Sequence, residues 1–224
     1  GGIAVASSAR VGFDGPGGHT WIEEVSDNNL TFKVGNTEIL NMTDNHLYIP
    51  DSRNLIIGNS SDFRLYHNAT DSHIDNYTGN LNIVNNANDK DINFYCDDGS
   101  GSVEVYFFLD GSLSGGNPIT VFPDNSKLIF GGATDFRLFH DGSNSNIENW
   151  TGDLQIINYA DNEDITFHSD NGSGGTTEYF FLDGSAADGT YLYTEFPDQS
   201  KLVFGNSQDL QIHHTGGTSF IENT

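Results

Sequence analysis

The sequence predicts an all-β chain built as a repetitive array of short strands, and three observations predict it. Whole phrases recur about 73 residues apart. Apolar and polar side chains alternate inside each phrase, and clusters of Gly, Asn, Asp and Ser separate the alternating runs. Strong helix formers are scarce, so turns must be many and helices are not expected.

Residues 1–49 read as a diverged N-terminal β unit. Its "GGHTWIEEVSDNNLTF" carries Ile22-Glu23 ahead of an apolar run, as Ile74-Asp75 and Ile147-Glu148 do later. Residues 50–122 are the first full β repeat, entered through "IPDSRNLIIGN" from Ile49. Residues 123–196 are the second, entered through "FPDNSKLIFGG" from Phe122. Residues 197–224 start a third, truncated repeat with "FPDQSKLVFGN" from Phe196. Pro50, Pro123 and Pro197 keep this spacing, as do His67, His140 and His214, and Ile74, Ile147 and Ile221. "YFFLDGS" recurs at Tyr106 and Tyr179. The first residues, "GGIAVASSAR", hold no initiator Met and the last fall in mid-repeat, so the sequence reads as an excerpt of a longer protein.

Inside the second repeat a period of two predicts strands at Leu128 and Phe130, and at Phe136, Leu138 and His140. Further strands are predicted at Leu154 and Ile156, at Ile165 and Phe167, and at Tyr179 and Phe181. "GGATD", "DGSNSN", "TGD", "ADNED" and "DNGSGG" lie between them as turns, with Gly able to take positive φ and Asn and Asp able to bond the backbone. Each strand offers only two or three inward apolar side chains, so one unit alone buries little. Such units persist by stacking on neighbours or by pooling thin faces from several chains, and their short edges must be paired. An elongated β-helix or β-solenoid pairs edges along its axis; an intertwined homotrimer pairs them between chains. The homotrimer meets both demands and is the preferred architecture.

Composition narrows the function classes. Asp and Glu number 32 against 8 Lys and Arg, a formal charge of −24, whereas a nucleic-acid-binding face needs a basic stripe to neutralise phosphates. The same charge disfavours an anionic membrane surface. No run approaches a membrane-spanning length, so no membrane insertion is expected. Cys96 is the single cysteine, and no internal disulfide can form.

"PDNSKLIFGGATDFRLFHDGSNSNIEN", "WTGDLQI", "ITFHSDNGSGGTTEYFFLDGS" and "ARVGFDGPGGHTWIEEVSDNNLTFKVG" together resemble the repeat units of tail fibre or tail-associated proteins of marine, notably cyanobacterial, bacteriophages. The likeness covers nearly the whole chain. It departs at "HNATDSHIDN" and "HHTGGTSFIEN", which alter the "HDGSNS" turn. The resemblance implies an extracellular virion structural protein, a trimeric shaft or adhesive fibre. Its implied partners are its own copies, other virion tail proteins, and a host surface glycan or receptor.

His67, His140 and His214 share the parity of the apolar residues in their strands. Two readings are open. In a trimer, three imidazoles at one height would suit a structural transition metal; alternatively, each histidine ends a strand and donates to a carbonyl in the following turn. The acidic turns "NNANDKDIN", "YADNEDI" and "CDDGSGS" would suit Ca²⁺, yet none has the EF-hand or β-roll spacing, and solvated turns are the simpler reading. Trp21, Tyr77 and Trp150, with Tyr66, are candidates for stacking on sugar rings, the alternative being packing between units. No catalysis is expected: Asp110 and Asp183, Glu104 and Glu178, and Asp75, Glu148 and Glu222 recur with the units, whereas a catalytic pair occurs once. Cys96 is matched by Ser169 one unit later, and there is no nucleophile elbow or phosphate loop.

Overall fold

The computed structural model describes residues 10–113 and 115–223, and these are all-β: twenty strands and no helix. The first sheet is a five-stranded antiparallel meander of β1 (Arg10–Gly12), β2 (Trp21–Ser26), β3 (Asn29–Val34), β4 (Thr37–Thr43) and β5 (Leu47–Tyr48). Gly35 and Asn36 both take positive φ, 59° and 64°, in the two-residue turn between β3 and β4. That is the left-handed pair whose twist suits a tight hairpin.

Five three-stranded sheets follow. They are β6 (Asn54–Ile57), β7 (Phe63–His67) and β8 (Ser72–Asn76); β9 (Ile92–Asp97), β10 (Val103–Asp110) and β11 (Ile119–Val121); and β12 (Leu128–Phe130), β13 (Phe136–His140) and β14 (Ser145–Asn149). The last two are β15 (Ile165–Asp170), β16 (Thr176–Asp183) and β17 (Tyr193–Glu195), then β18 (Lys201–Phe204), β19 (Leu210–Thr215) and β20 (Thr218–Asn223). The repeat therefore alternates two kinds of small antiparallel sheet, and none closes on itself.

The register of the β6–β8 kind is the same three times. Leu55, Leu65 and Ile74 face one another across the first sheet. Leu128, Leu138 and Ile147 do so in the second, and Leu202, Ile212 and Ile221 in the third. Period-two alternation puts each row on one face of its sheet. The entry turn is also copied. Ser52, Asn125 and Gln199 take φ of 61°, 66° and 70°, and their amides donate to the carbonyls of His67, His140 and His214 at 2.8, 2.8 and 2.9 Å.

The other kind of sheet carries an aromatic ladder. Phe94, Phe107 and Phe122 stack with centroids 4.4 and 5.7 Å apart, and Phe167, Phe180 and Phe196 repeat those spacings. Ser126 and Ser200 hydroxyls donate to the carbonyls of Tyr106 and Tyr179, each at 2.5 Å, tying the next entry turn to β10 and β16.

Two compact units emerge, one drawn from residues up to Ile92 with Asp110–Ile119, the other from Asn93–Leu109 with residues 120 onward. Neither has an ordinary core. Among the described residues Trp21 is the one buried hydrophobic side chain; the other buried residues are Glu23, Thr31 and Gln211. The accessible surface is 16856 Å², where two compact units sharing this mass would together expose roughly 12,000 Å².

The predicted strands at Leu128, Phe136–His140, Ile165 and Tyr179 form. The one at Leu154 and Ile156 does not: among the described residues its backbone makes no hydrogen bond. Strand β14, by contrast, forms inside a stretch whose Ser and Asn content reads as turn; its pairing with β13 overrides that local preference.

Candidate functional site

The most elaborate repeated side-chain arrangement joins an arginine, a carboxylate and an aromatic ring. In the β6–β8 sheet Arg64 faces Asp75 across the ladder. The Arg64 guanidinium lies 4.7 Å from the centroid of Tyr77, and the Tyr77 hydroxyl donates to Asp75 Oδ2 at 3.2 Å. In the β12–β14 sheet Arg137 faces Glu148 with 3.5 Å between Nη1 and Oε2. Its guanidinium lies 4.8 Å from the centroid of Trp150, whose Nε1 donates to Glu148 Oε2 at 3.3 Å. One ring face is thus taken by a cation, while Tyr77 and Trp150 remain 58% and 65% exposed.

The opening unit contains a buried version. Arg10 stands 4.2 Å from the centroid of Trp21. Arg10 Nε and Lys33 Nζ donate to the Glu23 carboxylate at 2.7 and 2.6 Å. Lys33 foremost, with Trp21 and then Arg10 adding less, holds the Glu23 carboxyl at about 2, against an ordinary 4.5 and despite the opposing effect of burial. Trp21 is only 7% exposed, so of the three predicted sugar-stacking residues it offers almost no ring to a ligand. Tyr66, the fourth aromatic considered, is stacked on His73 with 4.6 Å between centroids.

Sequence reasoning named the aromatics but missed Arg64 and Arg137. The signal was present in the recurrent "FRL" phrase, whose Arg sits opposite an acid one strand away. In the third repeat Gln211 occupies that position, buried and bonded to Lys201 Nζ at 2.7 Å.

The recurrent histidines lie in three different sheets, at the ends of β7 and β13 and near the end of β19, and they face polar turn atoms. His67 Nδ1 is 3.2 Å from Ser72 Oγ, and His214 Nδ1 is 3.1 Å from Ser219 Oγ. His140 Nδ1 is 2.9 Å from Asp124 Oδ1 and 3.2 Å from the Gly142 amide nitrogen. Among the described residues no three His, Cys, Asp or Glu side chains of one chain gather closely enough to hold a metal ion.

The acidic turns bond themselves. Asp98 accepts from the Ser100 amide and hydroxyl at 2.7 Å, which lowers its carboxyl below the usual range. The Asn144 and Ser143 amides hold Asp141 at about 2. Asp110 and Asp183 accept from the Leu113 and Ala186 amides, each at 2.7 Å. These carboxylates act as turn caps. An open cleft of about 620 Å³ includes Asp98, Glu104, Asp124 and Lys127, and Asp98 and Asp124 are engaged as just described. Cys96 is exposed.

No family model, curated protein or solved structure matches the chain.

Proposed function

We propose that this chain is a structural segment of a phage virion tail fibre, an extracellular shaft that holds a host-attachment tip away from the particle and performs no catalysis. Three copies intertwine into an elongated β column, joined along its length to other virion tail proteins. Trimeric symmetry then presents any receptor contact three times over.

One observation carries this reading. The described residues bury a single hydrophobic side chain, and the chain exposes roughly 5,000 Å² more than two compact units sharing its mass would. A standard interface removes about 800 Å² from each partner, so several such interfaces per chain are open to filling. The row of Leu128, Leu138 and Ile147, with Ile147 65% exposed, is the kind of thin apolar face that pooling between copies would cover. Sedimentation at low micromolar concentration tests it. A particle of about 73 kDa, three times 24.4 kDa, supports the trimer, whereas a 24.4 kDa monomer overturns it and favours a single-chain β-solenoid adhesin.

A second reading, binding or processing of host surface glycan, is favoured by one feature: the open ring faces of Tyr77 and Trp150. Sugars stack on such rings while neighbouring carboxylates and amides bind hydroxyls. Retention of the protein on host polysaccharide, lost in Trp150→Ala, would support binding, and release of reducing ends would support a glycan-degrading tailspike.

A further inference from the structure

Two segments of the chain are built as strands yet lie unpaired. Residues 80–84, Asn-Leu-Asn-Ile-Val, and residues 153–157, Asp-Leu-Gln-Ile-Ile, occupy equivalent places in the two full repeats, just after β8 and β14. Neither is assigned to any sheet, and among the described residues no backbone amide or carbonyl in either makes a hydrogen bond. Their apolar side chains are open to solvent: Leu81 48%, Ile83 62% and Val84 66%, then Leu154 51%, Ile156 63% and Ile157 53%.

Both segments are nevertheless held at their ends by the same pair of bonds. Asn76 Nδ2 donates to the Gly79 carbonyl at 2.9 Å and Asn149 Nδ2 to that of Gly152 at 2.8 Å. Past the other end, Asn85 Nδ2 donates to the Asp91 carbonyl at 2.9 Å and Asn158 Nδ2 to that of Asp164 at 3.0 Å. A segment pinned at both ends, apolar on both faces at Ile83-Val84 and Ile156-Ile157, resembles a doubly covered strand without its neighbours. Covering those side chains would also strip water from the backbone, and buried backbone groups must be hydrogen-bonded. A partner that covers the segment has to supply a strand edge as well.

We propose that residues 80–84 and 153–157 are intermolecular strands, each pairing with a free sheet edge of another copy of this chain. Charge argues for a copy as the occupant. A chain of −24 repels itself, so its self-contacts should avoid charge; residues 80–84 contain no Asp, Glu, Lys or Arg, and residues 153–157 contain one, Asp153 at the leading end. The outermost strands of each three-stranded sheet, such as β6 and β8, leave edges to receive them.

This inference rests on the oligomer proposed above, and one experiment separates the two. Amide hydrogen exchange is followed peptide by peptide in the native protein, with the association state measured in the same buffer. The expected result is an oligomer in which the amides of 81–84 and 154–157 exchange at least about 100-fold more slowly than in an unstructured peptide. An oligomer whose 81–84 and 154–157 amides exchange at free-peptide rates overturns the intermolecular strands and leaves the fibre reading standing. A monomer, with or without protection there, overturns both.

Discussion

Gly184 and Glu163 approach so closely that a Cβ on the glycine would lie 2.3 Å from the Glu163 carbonyl oxygen, and the Gly184 amide donates to Asp164 Oδ1 at 2.8 Å. Gly111 and Lys90 repeat the approach one unit earlier, at 2.4 Å, with the Gly111 amide donating to Asp91 at 3.0 Å. The recurrence of "LDGS" follows: the strand end passes the preceding loop with no room for a side chain. Gly184→Ala should therefore destabilise the protein by about 1–3 kcal/mol, the usual cost of forcing extra volume against fixed atoms. Chemical denaturation measures it. A loss below about 0.5 kcal/mol, within the range of an inert surface change, would mean that the two backbones separate freely.

Ile147 projects from the outer strand of its sheet and is 65% exposed, so within one chain a polar replacement removes little packing. Between copies it would put a charge into a shared apolar face, which is costly without a partner. Ile147→Asp should keep the β circular dichroism signal and drive the proposed trimer towards monomer at micromolar concentration. Unchanged sedimentation would place the copy-to-copy contact elsewhere.

Acid should loosen the first sheet through Glu23. Its carboxyl is held at about 2 in the fold against an ordinary 4.5, so the stability it contributes is fully present above pH 4.5 and is lost as pH falls towards 2. Trp21 fluorescence in a Trp150→Phe background should report this transition, and Glu23→Gln should flatten it while lowering stability at neutral pH. The same acid limb in both proteins would show that Glu23 is not its source.

Three copies would carry a formal −72, three times −24, and much of that charge lies on exposed turns. Salt shortens the reach of such repulsion to about 10 Å at 0.1 M. The melting temperature of the assembled protein should rise by several degrees from dilute buffer to seawater-like ionic strength. A melting temperature that does not move would remove self-repulsion from the account.

Much of the repeated sheet could be read from residue order. The shared parity of Phe136, Leu138 and His140 placed their side chains on one face, and β13 bears that out with Leu138 between Leu128 and Ile147. What stood around each side chain was less legible. His140 has the parity of an apolar residue, yet its ring meets Asp124 because the entry turn folds back onto the strand end. Trp21 and Trp150 look alike as exposed stacking candidates, but Lys33 and Arg10 close over the Glu23 side of the first sheet and bury Trp21 alone. The arginines of the two exposed trios went unnoticed because their meaning depends on a strand 11 residues away, as between Arg137 and Glu148.

Residue order by itself determined the repeat length, the turns and the face on which each side chain stands, because these follow from local backbone preference and a period of two. Only the tertiary structure decided which strands find a neighbour. Alternation says nothing about partners: Leu154 and Ile156 alternate as well as Leu128 and Phe130, yet only the latter meet another strand of their own chain. Pairing is settled by the path of the connecting turns, and where that path brings no edge alongside, an alternating segment is left with both faces open.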